Sequence, residues 1–142
     1  AIQRALLAFE PPEKLTVSEW ADKYRNMSSE ETSRPGMWDT DSVPYMKFIM
    51  DCFAQDRIRE IVMLKCTQIG GTEAMINMLG YTIDVNPSRI MYVLPDDDLC
   101  LNFSDERLKK MFRSNLDRFK GKVDLRSKTK MIKFTGGFAA IV

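Results

Sequence analysis

Arg57-Ile58-Arg59-Glu60-Ile61-Val62-Met63-Leu64-Lys65-Cys66-Thr67-Gln68-Ile69-Gly70-Gly71-Thr72 is the stretch on which the fold turns. Its first half ends in a continuous apolar run, the pattern of a strand buried on both faces. Its second half, Lys65 to Gly71, is a glycine-containing turn. From Thr72 to about Asp84 the apolar residues Met75, Met78, Leu79 and Ile83 recur at helical spacing, and Asn86-Pro87 closes that helix. Ile90-Met91-Tyr92-Val93-Leu94 reads as a second buried strand. Pro95-Asp96 then leads into a helix reaching about Arg113, with Asp96, Asp97 and Asp98 at its positive end. Strand, loop, helix, strand, helix is the βαβ order of an α/β fold, a parallel sheet flanked by helices.

Outward from this unit the chain changes character. Lys130–Phe134 and Phe138–Val142 flank Gly136-Gly137, which predicts a C-terminal β-hairpin. The chain stops inside that second apolar run, which reads as a strand cut short. Upstream, Pro44 suits the first position of a helix, with Ser42 the nearest capping candidate and Met46, Ile49, Met50 and Phe53 on the core-facing side. Residues 1–43 read as an N-terminal arm. It has a short apolar start, Pro11-Pro12, a helix capped by Ser18 and running to about Arg25, and a loop with a turn at Arg34-Pro35-Gly36. The predicted organisation is therefore an arm over 1–43 and an α/β domain over 44–142.

The turn carries the chemistry. A phosphate-binding loop normally reads G-x-x-x-x-G-K-[ST] between a buried strand and a helix. Here Lys65-Cys66-Thr67-Gln68-Ile69-Gly70-Gly71-Thr72 matches at Gly70 and Thr72, with Lys65 in place of the first glycine and Gly71 in place of the lysine. Such a loop wraps an anion in backbone amides, so its two ends lie close together. A lysine at the start can then reach phosphate oxygens from the opposite side, while Gly70-Gly71 permits close backbone approach. Thr72 would supply a hydroxyl to Mg²⁺, and the helix beginning there points free amides at the anion. The alternative on these residues alone is a tight strand-to-helix turn with Lys65 solvated.

Composition narrows the classes of function. In 142 residues, 44% hydrophobic, there is enough apolar material for one core. The net charge of +1 hides an asymmetry. Residues 1–102 hold ten basic and sixteen acidic side chains, a net −6, and residues 103–142 hold eleven against four, a net +7. A basic last third suits a polyanion, although a solvated charged face fits equally well. Cys52, Cys66 and Cys100 are widely spaced, and the chain has no histidine, which argues against a zinc site or a disulfide framework and for reduced thiols. No apolar stretch approaches the ~20 residues of a membrane span.

Taken together, several blocks resemble the large terminase subunit of tailed bacteriophages, of the GpA, lambda-like type. They are Leu15 to Arg25, Pro35-Gly36-Met37-Trp38 with Pro44-Tyr45, Lys65 to Glu73, Leu94-Pro95, Phe103-Ser104 through Arg107-Leu108, and Phe134-Thr135-Gly136-Gly137. The resemblance covers nearly the whole chain. It implies a P-loop NTPase fold of the RecA/ASCE-like kind, using ATP and Mg²⁺ to drive double-stranded DNA into a capsid in the host cytoplasm. A small terminase subunit and the portal or capsid would be partners, and a separate nuclease domain would follow.

In that family the P-loop lysine often stands first in the loop, where this chain has Lys65. The implied ATP-binding set is Lys65, Cys66, Thr67, Gln68, Ile69, Gly70, Gly71, Thr72 and Glu73, with Lys65 the catalytic cation and Thr72 on the metal. Many relatives carry a second lysine where this chain has Gly71, so the charge falls to Lys65 alone. The acidic Walker B segment is expected beyond the terminal hairpin, so this chain by itself is expected to be inactive as an ATPase. Tyr45 is a candidate to stack on adenine, with ordinary packing as the alternative. Arg107, Lys109, Lys110 and Arg113 are candidates to touch DNA phosphates. Three readings remain: an ATPase motor part, a non-catalytic DNA-binding or assembly module, and a helicase-like translocase core. Unpaired strand edges favour self-association.

Overall fold

The computed structural model describes residues 14–142. The apolar start and Pro11-Pro12 lie outside the described residues. Helix α1 spans Val17–Tyr24. Its N-cap is Thr16, not Ser18. The Thr16 hydroxyl accepts from the Glu19 amide, and the Glu19 carboxylate accepts from the Thr16 amide, a reciprocal capping box. Ser18 instead donates its amide and hydroxyl to Asp51, each at 3.0 Å.

Residues 26–43, expected as a loop, hold a short antiparallel ribbon of β1 (Asn26–Met27) and β2 (Gly36–Met37). A 3₁₀ turn over Thr40–Ser42 follows. Helix α2, Pro44–Phe53, opens on proline as predicted but has no side-chain cap, because the Ser42 hydroxyl donates to the Asp39 carbonyl. Met46 and Met50 are buried and Ile49 half-buried, whereas Phe53 is exposed and Cys52 takes the inward position.

Helix α3, Gly71–Asp84, is the spine of the molecule. Its apolar face packs on α1 and α2 through Ala74, Ile76, Leu79 and Ile83, while Met75 is exposed and Met78 half-buried. At Gly80 a β-carbon would lie 2.7 Å from the Trp20 indole, so the ring seats directly on the helix backbone. Trp20, Phe112 and Phe119 then form an edge-to-face aromatic cluster.

A continuous helical run follows β3, Ile90–Tyr92. It comprises α4 (Asp97–Asn102), a π-helical stretch (Phe103–Leu108) and α5 (Lys109–Ser114). Asp96 caps it as expected, accepting from the Leu99 amide. The short helix α6, Leu116–Phe119, leads to β4 (Met131–Phe134) and β5 (Gly137–Ile141). The predicted hairpin is thus present, with Gly136 at φ +92° in its turn.

The sheet corrects one expectation. Its strand order is β3-β5-β4, with β3 parallel to β5 and β4 antiparallel. The predicted buried strand over 57–64 does not form. Val62 and Leu64 are 85% and 103% exposed, and the run has no ladder partner among the described residues. A strand exists only when a neighbour takes its amides and carbonyls, and β5 and β4 lie on the other side of β3. Nor is β3 buried on both faces, since Met91 is 71% exposed, and Val93, just beyond it, is 70% exposed. Between the 58–65 run, α3 and β3 lies an open cavity of about 690 Å³.

Candidate functional site

The loop Lys65–Gly70 enters α3 through two left-handed residues, Gln68 at φ +59° and Gly70 at φ +79°. Glycine adopts this conformation freely, while glutamine does so uncommonly and therefore marks a tightly turned backbone. Gly70 is the N-cap, and its carbonyl accepts the Ala74 amide at 3.0 Å. Residues 71–73 therefore open the helix with their amides directed out of its N-terminus.

Lys65 folds back against the first residue of α3. A β-carbon at Gly71 would stand 3.0 Å from Lys65 Cδ and 3.1 Å from Cε, so the lysine stem lies against the glycine. The first and last positions of the loop are thereby brought together. Lys65 makes no ion pair among the described residues. Cys66, Thr67, Gln68 and Thr72 are exposed, and Ile69 is half-buried against the core. The three cysteines are free thiols, Cys52 and Cys100 buried and Cys66 exposed.

Tyr45 adjoins the same loop. Its exposed hydroxyl donates to the Ile69 carbonyl at 3.2 Å, which ties the first turn of α2 to the loop backbone. Glu73, on the first turn of α3, is held by two guanidiniums. Arg25 Nη2 lies 2.8 Å from Oε2 and Arg107 Nη1 lies 3.0 Å from Oε1. Arg25 is buried, also reaches Glu31 at 3.4 Å and donates to Asn77 at 2.9 Å, and leaves its Nε without a partner among the described residues. Composition and spacing gave no sign of this cluster, because its members are far apart in the chain.

The basic candidates separate. Arg107 belongs to the Glu73 cluster. Lys109 pairs with Asp105 at 2.7 Å and Lys110 with Glu106 at 2.6 Å, one helical turn back. Arg113 is exposed and makes no ion pair among the described residues. A further ionic cluster lies at the far end of α3. The buried Asp84 carboxylate accepts from Trp20 Nε1 at 2.8 Å, Arg118 Nη2 at 2.6 Å and Lys122 Nζ. Burial alone would push Asp84 up, yet the hydrogen bonds from Lys122, Trp20 and Arg118 together hold its carboxyl below the usual value. At β3, burial and the negative Glu73 raise the Tyr92 hydroxyl.

No helix among the described residues is long and apolar enough to cross a membrane. No solved structure matches this chain. It is 27% identical over 113 residues to the terminase large subunit of Enterobacteria phage P21, covering 80% of this chain and 17% of that protein. It is 28% identical over 102 residues to the terminase large subunit of Escherichia phage lambda, covering 72% of this chain and 16% of that protein. The chain thus spans about a sixth of the length of these curated relatives. The family described as phage terminase large subunit gpA, ATPase domain, matches residues 32–142, the loop, α3 and the three-stranded sheet included, and the chain belongs to that family.

Proposed function

We propose that this chain carries the triphosphate cradle of a viral DNA-packaging motor, on a P-loop fold, with ATP and Mg²⁺ bound at Lys65–Glu73. The observation that supports the reading is the Lys65 stem lying against Gly71, the position at which the loop's usual lysine is missing. In this reading Lys65 compensates charge on the outer phosphates, the amides opening α3 hold the phosphate oxygens, and Thr72 offers its hydroxyl to the metal. Tyr45 positions the loop through Ile69 and flanks the base side.

Binding and turnover are separate steps. Hydrolysis also needs a residue that orients the attacking water, and Glu73, ion-paired to the buried Arg25, is not free for that role. This chain alone is therefore expected to bind without turning over. Isothermal titration of Mg-ATP into the wild type and Lys65→Ala tests the reading. A loss of roughly tenfold or more is expected for one charge-assisted contact. Equal affinities would overturn the role of Lys65.

The net +7 of residues 103–142 supports double-stranded DNA as the polymer partner, with Arg113 the candidate least engaged in ion pairs. Its signature is binding that weakens steeply with salt. The small subunit, portal and capsid belong to the same proposal and act in the host cytoplasm.

A further inference from the structure

Glu73 poses an electrostatic problem. A carboxylate in the first turn of a helix is favoured by the helix dipole, but one residue beyond Thr72 it also repels any anion held by the loop. Two guanidiniums neutralise it, and they differ in kind. Arg25 is 1% exposed and fixed by Glu31 and Asn77 as well as Glu73. Arg107 is 47% exposed, and Glu73 is its polar partner among the described residues. Its segment is the π-helical stretch Phe103–Leu108, a helical irregularity frequent at functional sites. That stretch is anchored by buried Phe103 and Leu108 and by the Ser104 hydroxyl donating to the Thr129 carbonyl. The backbone is held while the charged head stays in solvent beside the loop.

We propose that Arg107 is a second phosphate-binding side chain. When a nucleoside triphosphate occupies the loop, the Arg107 guanidinium leaves Glu73 for a phosphate oxygen, and Glu73 keeps its contact with Arg25, which it shares with Glu31. The proposal rests on the phosphate-loop reading given above. A guanidinium binds phosphate at least as well as carboxylate because its planar fork matches both, so the exchange conserves one charge-assisted contact. Glu73 acts as a competitor that parks the arginine until the ligand arrives.

Titration of Mg-ATP into the wild type, Arg107→Ala, Glu73→Gln and the double variant tests this. Arg107→Ala should weaken binding about tenfold, and Glu73→Gln, by freeing the arginine, should tighten it several-fold. In the Glu73→Gln background Arg107→Ala should still weaken binding. Arg107→Lys, which keeps the charge and loses the fork, should fall between wild type and Arg107→Ala. If Arg107 merely braces Glu73, Arg107→Ala and Glu73→Gln will shift affinity in the same direction, and that result overturns the proposal. Wild-type binding lost in Lys65→Ala but unchanged in Arg107→Ala overturns it while leaving the phosphate-loop reading intact. No binding by the wild type overturns both.

Discussion

The two ends of α3 use the same materials differently. Each places a carboxylate between basic side chains: Glu73 between Arg25 and Arg107, and Asp84 between Arg118 and Lys122. The dipole favours Glu73 at the N-terminus and opposes Asp84 at the C-terminus, so the second needs its cations to be stable at all. The Asp84 side chain is buried, and its third partner is the core indole of Trp20. Glu73 is partly exposed, and one of its two arginines reaches solvent. A carboxylate locked to the core fixes the fold. One with an exposed partner leaves a charge that another anion can claim.

Substitutions break the comparison at one end or the other. The largest effect is expected for Asp84→Ala, which strands Arg118 and Lys122 and removes the Trp20 acceptor. Breaking a buried pair costs about 3 kcal/mol at the low end, appropriate where both cations are partly exposed, and urea unfolding measures it.

The paired glycines come next. Gly80→Ala drives a methyl against the buried indole, and overpacking of about 1–3 kcal/mol should exceed the ~1 kcal/mol that alanine returns as a helix former. Gly71→Ala meets flexible side-chain ends, the Lys65 stem closely and Met63 Cε at an ordinary contact distance of 3.7 Å, so its thermal midpoint should stay at or above the wild type while Mg-ATP affinity falls. If Gly71→Ala instead unfolds the chain, the loop end is structural and the contrast fails.

The smallest effect is in acid. The folded Asp84 carboxyl titrates below its unfolded value of ~4, so its contribution is present above that pH and is lost as pH falls through the folded value. Asp51, also lowered because hydrogen bonds from Ser18 and Lys47 outweigh burial, adds to the same acid arm. Melting temperatures followed from pH 7 downward should decline less steeply in Asp84→Asn than in the wild type. Parallel curves would remove Asp84 from that arm.

What could be read in advance was what local rules govern. Helix α3 followed from apolar spacing and Asn86-Pro87, α2 from Pro44, the terminal hairpin from Gly136-Gly137, and the Asp96 cap from the three aspartates that follow Pro95. The strand expected over 57–64 was misjudged because an apolar run says only that it wants neighbours, while the ladder depends on distant segments. Thr16 took the cap assigned to Ser18 because Glu19 lay at the spacing for a capping box and Asp51 claimed the serine. For the site, Lys65 crossing to Gly71 agrees with the argument that the loop's ends converge. The Glu73 cluster was invisible, since its arginines stand 48 and 34 positions away and no local pattern pairs them.

Cys66 gives the loop a chemical handle of its own. Of the three thiols it alone is exposed, while Cys52 and Cys100 are 8% and 1% exposed. A bulky thiol-selective dye therefore has one ready address on the folded chain, one residue from Lys65. The native sequence supplies a spectroscopic probe at the loop without any engineered cysteine, and the chain can be made to report its own occupancy.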